Sequence, residues 1–262
     1  MNVGFIGAGN MGGALARAIS ADKQTNIYIY DANEEKANTL ANEIGASFAT
    51  LDNLLSDSDF IFLGVKPNVI IGVCESIESK VKDGAAVISM AAGVKVDKLS
   101  AAIGSGVPVI RIMPNTPVTV GAGMTAWCKN AHVTEDMAES FKKMMAYTGA
   151  LDELPEDKID SFCAIAGCGP AYAYMFIDAL AKAGVECGLD YDRALFYASK
   201  MLSGSALMAQ TSPLSPEVLC KNVCSPGGST IEGVKVLEAA SFANTVGEAI
   251  AAAYKRTKEL GN

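Results

Sequence analysis

Val3-Gly4-Phe5-Ile6-Gly7-Ala8-Gly9-Asn10-Met11-Gly12 is the stretch that decides the fold. A short apolar strand runs straight into G-x-G-x-x-G, and the helical pattern of residues 11–20 follows at once. Each glycine answers a separate demand: Gly7 the tight turn, Gly9 the approach of backbone to a pyrophosphate, Gly12 close packing of helix on sheet. The helix start adds N–H groups without intrahelical partners and the positive end of a dipole, both of which favour phosphate. Nineteen residues after Gly12, Asp31 closes the next apolar run, where a carboxylate accepts the hydroxyls of an adenosine ribose. A plain glycine turn with a capping Asp before Asn33 would not require strand, loop, helix and acid in this order. Asp31 also repels a 2′-phosphate, and no Arg follows it closely, which favours NADH over NADPH. Lys36 and Asn33 keep the second coenzyme open.

Working outward, β-branched runs alternate with amphipathic stretches, the pattern of βαβ units and a parallel sheet. Strands are predicted at residues 3–6, 27–30, 60–65, 86–90, 109–113 and 123–128, and helices at 11–20, 34–44, 69–79, 97–103 and 135–147. From about Pro155 the strand signals stop and Ala-rich helical stretches continue to the end. The expected fold is α/β: a doubly wound Rossmann domain over residues 1–154, then an all-α domain over 155–262 that dimerises. The dimer is inferred from the helix that Pro170 opens. Its charges, Asp178, Lys182 and Glu186, are spaced by four and form one thin stripe, so the rest of its surface needs cover. A region of about a hundred residues is too small to supply that cover alone.

Composition sets the outer bounds. Half of the 262 residues are hydrophobic but only 7% are aromatic, and the formal charge is −8. Such a chain has enough apolar side chain to fold and a poor charge balance for coating nucleic acid. The uncharged stretches 112–128 and 161–177 are broken by Pro and Gly, so no membrane helix is expected. Seven cysteines without a C-x-x-C, beside a single histidine, argue against a zinc site and for mostly buried thiols in a reducing cytoplasm.

Further loops fall at the carboxyl ends of strands, where doubly wound sheets bind ligands. Gly64-Val65-Lys66-Pro67 and Ala91-Ala92-Gly93 are small enough to admit ribose and nicotinamide. Lys66 reads equally well as a solvated surface lysine. In Met113-Pro114-Asn115-Thr116-Pro117, two prolines fix the loop and the Asn115 amide can donate and accept near a carboxamide or substrate. In the helical half, Cys224-Ser225-Pro226-Gly227-Gly228-Ser229-Thr230 turns into a helix, a cluster of backbone donors suited to a small anion such as a carboxylate. Read alone, that loop is equally a well-capped helix start with nothing bound. Gly167-Cys168-Gly169-Pro170-Ala171-Tyr172 is a further small-residue loop able to close a pocket.

With these motifs in family order over nearly the whole chain, the sequence resembles the pyrroline-5-carboxylate reductases. The carriers are residues 5–12, Val65-Lys66-Pro67, Arg111-Ile112-Met113-Pro114-Asn115-Thr116-Pro117, Gly169-Pro170-Ala171-Tyr172 and Ser225-Pro226-Gly227-Gly228. Cys168, Ser229 and Asp31 depart from common family residues. The resemblance implies hydride transfer from NADPH or NADH to the C=N carbon of a cyclic imine, in a homodimer or a ring of dimers. It implies that Gly7, Ala8, Gly9, Asn10, Met11, Gly12, Asp31, Val65, Lys66, Pro67, Ala91, Ala92 and Asn115 hold the coenzyme. Ser225, Gly228, Ser229 and Thr230 would hold the substrate, with the Thr230 hydroxyl beside the imine nitrogen as the catalytic group; no metal is implied. Three other readings remain: a β-hydroxyacid dehydrogenase, opposed by the lack of a Lys early in the Pro170 helix; another imine reductase; and a silent dinucleotide sensor, which has no need of the Ser225 loop.

Overall fold

The computed structural model describes residues 1–261. Its strands are β1 (Asn2–Ile6), β2 (Asn26–Tyr30), β3 (Ser47–Phe48), β4 (Phe60–Leu63), β5 (Ala86–Ser89), β6 (Val109–Met113), β7 (Gly123–Lys129) and β8 (Gly149–Glu153). They form one sheet in the order β3-β2-β1-β4-β5-β6-β7-β8. Pairing is parallel except between β6 and β7. The order reverses between β1 and β4, and the carboxyl ends of those two strands frame the crevice where such sheets take ligands.

Helices α1 (Asn10–Ile19), α2 (Glu34–Ile44), α3 (Leu51–Asp57), α4 (Ile70–Ile77), α5 (Val96–Ile103) and α6 (Glu135–Met145) belong with the sheet. The remainder is helical: α7 (Glu156–Phe162), α8 (Gly169–Glu186), α9 (Tyr191–Thr211), α10 (Pro216–Val223), α11 (Ser229–Ala239) and α12 (Phe242–Gly261). A doubly covered sheet is built by strands apolar on both faces, and the core shows the alternation directly. Val3, Phe5, Phe60 and Phe62 pack on one face with Leu15 and Ile19, while Ile6, Ile61 and Leu63 pack on the other with Ile70 and Leu99. Phe5 and Phe62 are register partners whose rings stack at 4.6 Å.

The predicted strands and helices all form, with ends moved by a few residues. The run 60–65 stops at Leu63 because Gly64 turns beneath the fingerprint loop. Three elements were not foreseen: β3, α3 and β8. By compactness the chain divides into Met1–Cys168 together with the residues from Ala253 onward, and Gly169–Ala252. The change to all-helical structure falls after Glu153, as expected, yet α7 stays with the sheet unit.

The expectation that no stretch is long enough for a membrane helix is corrected. Glu156–Glu186 is one helical run of 31 residues, long and apolar enough by length and composition to cross a membrane. Pro170 lies inside this run without ending it. Within the second unit only Ala181, Ala194 and Ala198 are buried hydrophobic residues, and Tyr174, Met175, Phe196 and Tyr197 stand exposed. The thin charged stripe is real: Lys182 pairs with Asp178 at 2.6 Å, and the Tyr191 hydroxyl donates to the same carboxylate.

Candidate active site

The fingerprint loop is fixed by backbone contact. Gly7 has φ +108°, and a Cβ there would lie 2.6 Å from the Gly64 carbonyl oxygen. A Cβ on Gly12 would overlap the Gly7 carbonyl. Gly9 differs, since a Cβ there would meet only the Gly64 oxygen at 3.9 Å. The chain's own packing therefore does not require glycine at position 9, whereas close approach by a pyrophosphate does. Gly9 is also the N-cap of α1 and offers no side chain to its free N–H groups. The residues fit a dinucleotide.

Asp31 is held in place. Its Oδ2 accepts the Ala8 N–H at 2.7 Å and its Oδ1 the Asn33 N–H at 2.9 Å. Asn33 in turn caps α2 by accepting the Lys36 N–H. Beside this turn lies a cavity of about 280 Å³ lined by Ala8, Arg17, Asn33, Lys36 and Thr39 among others. Arg17, which the sequence reading passed over, is already engaged by both oxygens of Glu43 at 2.6 Å. Met11 is half-buried against the core, Asn10 and Lys66 are exposed, Val65, Pro67 and Ala92 are half-buried, and Ala91 is buried. Gly64 brings the loop after β4 against Gly7, so Val65, Lys66 and Pro67 continue from the fingerprint's immediate neighbour.

Asn115 stands otherwise than expected. Its Oδ1 accepts the Met124 N–H at 2.9 Å, and its Nδ2 donates to the Ala166 carbonyl at 3.0 Å. Both ends of the amide are used inside the protein. One strand register earlier, the buried Arg111 guanidinium meets Glu156 and Asp160, each at 3.1 Å, and Glu156 also accepts the Val96 N–H. This cluster was missed, although an Arg within Val-Ile-Arg-Ile-Met was a signal: a buried charge must find a partner.

In the second unit, Ser225-Pro226-Gly227-Gly228 makes a turn closed by Gly228 N–H donating to Ser225 O at 3.0 Å, with Gly227 at φ +73°. Pro then a positive-φ Gly is the type II pattern. Gly228 is the N-cap of α11 and brings no side chain to the helix start. Ser225, Ser229 and Thr230 are exposed, and among the described residues their hydroxyls carry no hydrogen bond.

Thiol burial is mixed. Cys74, Cys128 and Cys163 are buried, Cys168 and Cys224 half-buried, and Cys187 and Cys220 exposed, all unpaired. Burial pushes Cys74 and Cys163 up to about 11 and Cys128 to about 12, which keeps them inert. Among the described residues, no group of three or more His, Cys, Asp or Glu is placed to hold a metal.

Residues 156–260 match the pyrroline-5-carboxylate reductase dimerisation family, and residues 2–93 match the NADP oxidoreductase, coenzyme F420-dependent family. The pyrroline-5-carboxylate reductase of Aquifex aeolicus is 38% identical over 99% of this chain and 97% of its own. That of Escherichia coli is 36% identical over 98% of this chain and 97% of its own. In structure, the chain is similar to Plasmodium falciparum pyrroline carboxylate reductase with NADP bound, with TM-score 0.92, 31% identity and coverage of 100% and 98%.

Proposed function

Because the chain belongs to the pyrroline-5-carboxylate reductase family and catalyses NAD(P)H-dependent reduction of 1-pyrroline-5-carboxylate to proline, we propose that the fingerprint loop holds the coenzyme and the Ser225–Thr230 turn the substrate. The observation that carries this reading is the pair of helix starts, at Gly9 and Gly228, whose cap residues have no side chain. Free N–H groups there receive anions: pyrophosphate at α1, the substrate carboxylate at α11 with help from Ser225 and Ser229. When bound, NAD(P)H supplies the hydride for the C=N carbon. Thr230 orients the imine nitrogen through its hydroxyl and relays a proton. Holding the two reactants in register provides most of the acceleration, so no strongly acidic side chain is needed.

Asp31, fixed by the Ala8 and Asn33 N–H groups, accepts ribose hydroxyls and makes NADH the preferred coenzyme. Glu43's hold on Arg17 supports this by leaving Lys36 as the cation free to meet a 2′-phosphate. Val65, Lys66, Pro67, Ala91 and Ala92 border the nicotinamide end. The helical region from residue 155 pairs with a second copy, which supplies the cover that α8 lacks; pairing between protein surfaces also answers the membrane-length run Glu156–Glu186. Rings of such dimers, a cytoplasmic location in keeping with seven unpaired thiols, and no nucleic-acid partner complete the proposal.

The deciding experiment follows loss of reduced-nicotinamide absorbance with NADH and NADPH, with and without 1-pyrroline-5-carboxylate. Oxidation dependent on that imine is expected with both, faster with NADH. No oxidation with either coenzyme overturns the reading.

A further inference from the structure

Pro170 has no N–H, so within the helical run Glu156–Glu186 the carbonyl four residues earlier, that of Ala166, lacks its α-helical donor. The helix is already loosened there: Cys163–Gly167 is a π-type turn, with Cys168 N–H donating to Cys163 O at 2.8 Å. Into this gap comes the Asn115 Nδ2, 3.0 Å from the Ala166 oxygen. The other end of the same amide accepts the Met124 N–H of β7, and the residue is 9% exposed. The neighbouring Met113 side chain packs so close that a Cβ on Gly167 would stand 3.3 Å from its terminal methyl.

We propose that Asn115 is a positioning residue, its amide replacing the peptide N–H that Pro170 withholds from Ala166 and so fixing the loop that follows β6. That loop lies at the carboxyl end of the sheet, on the side where the coenzyme is taken up. In this role Asn115 acts through the backbone at 166 and 124. The sequence alone permitted a ligand-binding amide; the two internal bonds assign it this other task. A part-buried carbonyl without a donor is costly, so the proline and the asparagine form a matched pair.

A double-mutant cycle tests the pair. Asn115→Ala is expected to lower the thermal midpoint by about 3–6 °C. In Asn115→Ala/Pro170→Ala the restored N–H returns at least half of that loss, whereas independent sites would give additive changes. The Met124 bond is absent from both variants, so the recovery reports Ala166 alone. Turnover of Asn115→Ala falls about tenfold while the dissociation constant for NADH stays within about twofold, and the second substitution restores part of it. Additive midpoints overturn the proposal, as does loss of NADH binding with an unchanged midpoint. If Asn115→Ala does not fold, Asn115→Asp, which keeps the acceptor for Met124, takes its place in the same cycle. The turnover arm rests on the reductase reading; the midpoint arm does not, so the two can fail separately.

Discussion

Thr230, the second residue of α11, is exposed, and among the described residues its hydroxyl carries no hydrogen bond. Replacing it by Ala is expected to lower kcat about 10²-fold with little change in the KM for coenzyme. Equal loss in both parameters would move the residue to binding. At Asp31, replacement by Ser should shift the NADH-to-NADPH ratio of kcat/KM about tenfold toward NADPH; an unchanged ratio removes Asp31 from coenzyme choice. The buried thiols give a pH prediction. An unfolded thiol ionises near its ordinary value of 9, whereas Cys74, Cys128 and Cys163 resist until about 11 to 12. Their contribution is therefore complete below pH 9 and is lost as pH rises toward 11–12, up to about 1.4 kcal/mol per pH unit for each. Chemical denaturation between pH 8 and pH 11 checks this, and Cys74→Ala should flatten the decline. The fingerprint was legible because glycine spacing is a local rule. Asn115 was not, because its partners lie 9 and 51 residues away.

Among the elements, β6 has the heaviest duty: it anchors α7 through Arg111 and the π-type turn through the loop that follows it. Arg111→Met would leave the partly exposed Glu156 and Asp160 without their buried cation and should cost about 2–4 kcal/mol in urea unfolding. A loss below about 1 kcal/mol would mean that solvent already screens the cluster. Strands with continuous apolar runs were easy to read. β3 is only two exposed residues, and β8, Gly-Ala-Leu-Asp-Glu, is a half-exposed edge with two acids, so neither had a hydrophobic signature. α3 was hidden by its length of seven residues, its Thr50 cap being the one available signal.

For the whole molecule, the helical region is the part that the isolated chain leaves unfinished. Met175 is 73% exposed on α8, so Met175→Asp should barely affect a lone chain but should disrupt a dimer made through this face. Sedimentation is expected to give a dimer or larger species for the native protein and a smaller one for the variant; no change would place the interface elsewhere. The thin stripe of charge on α8 made this need for cover legible, since three ionic residues spaced by four cannot shield a helix of eighteen. The limits of the compact units were less legible, because α12 returns its last part to the sheet unit, where Thr257 is buried and its hydroxyl meets the Cys163 sulfur at 3.7 Å. That return has a consequence for birth on the ribosome. Synthesis begins with the nucleotide-binding half, yet the residues that cover Cys163 emerge only after the intervening helices have been made. The first region to start folding is thus among the last to be completed, and a nascent chain stopped at Ala252 would leave the flank at Cys163 open to protease.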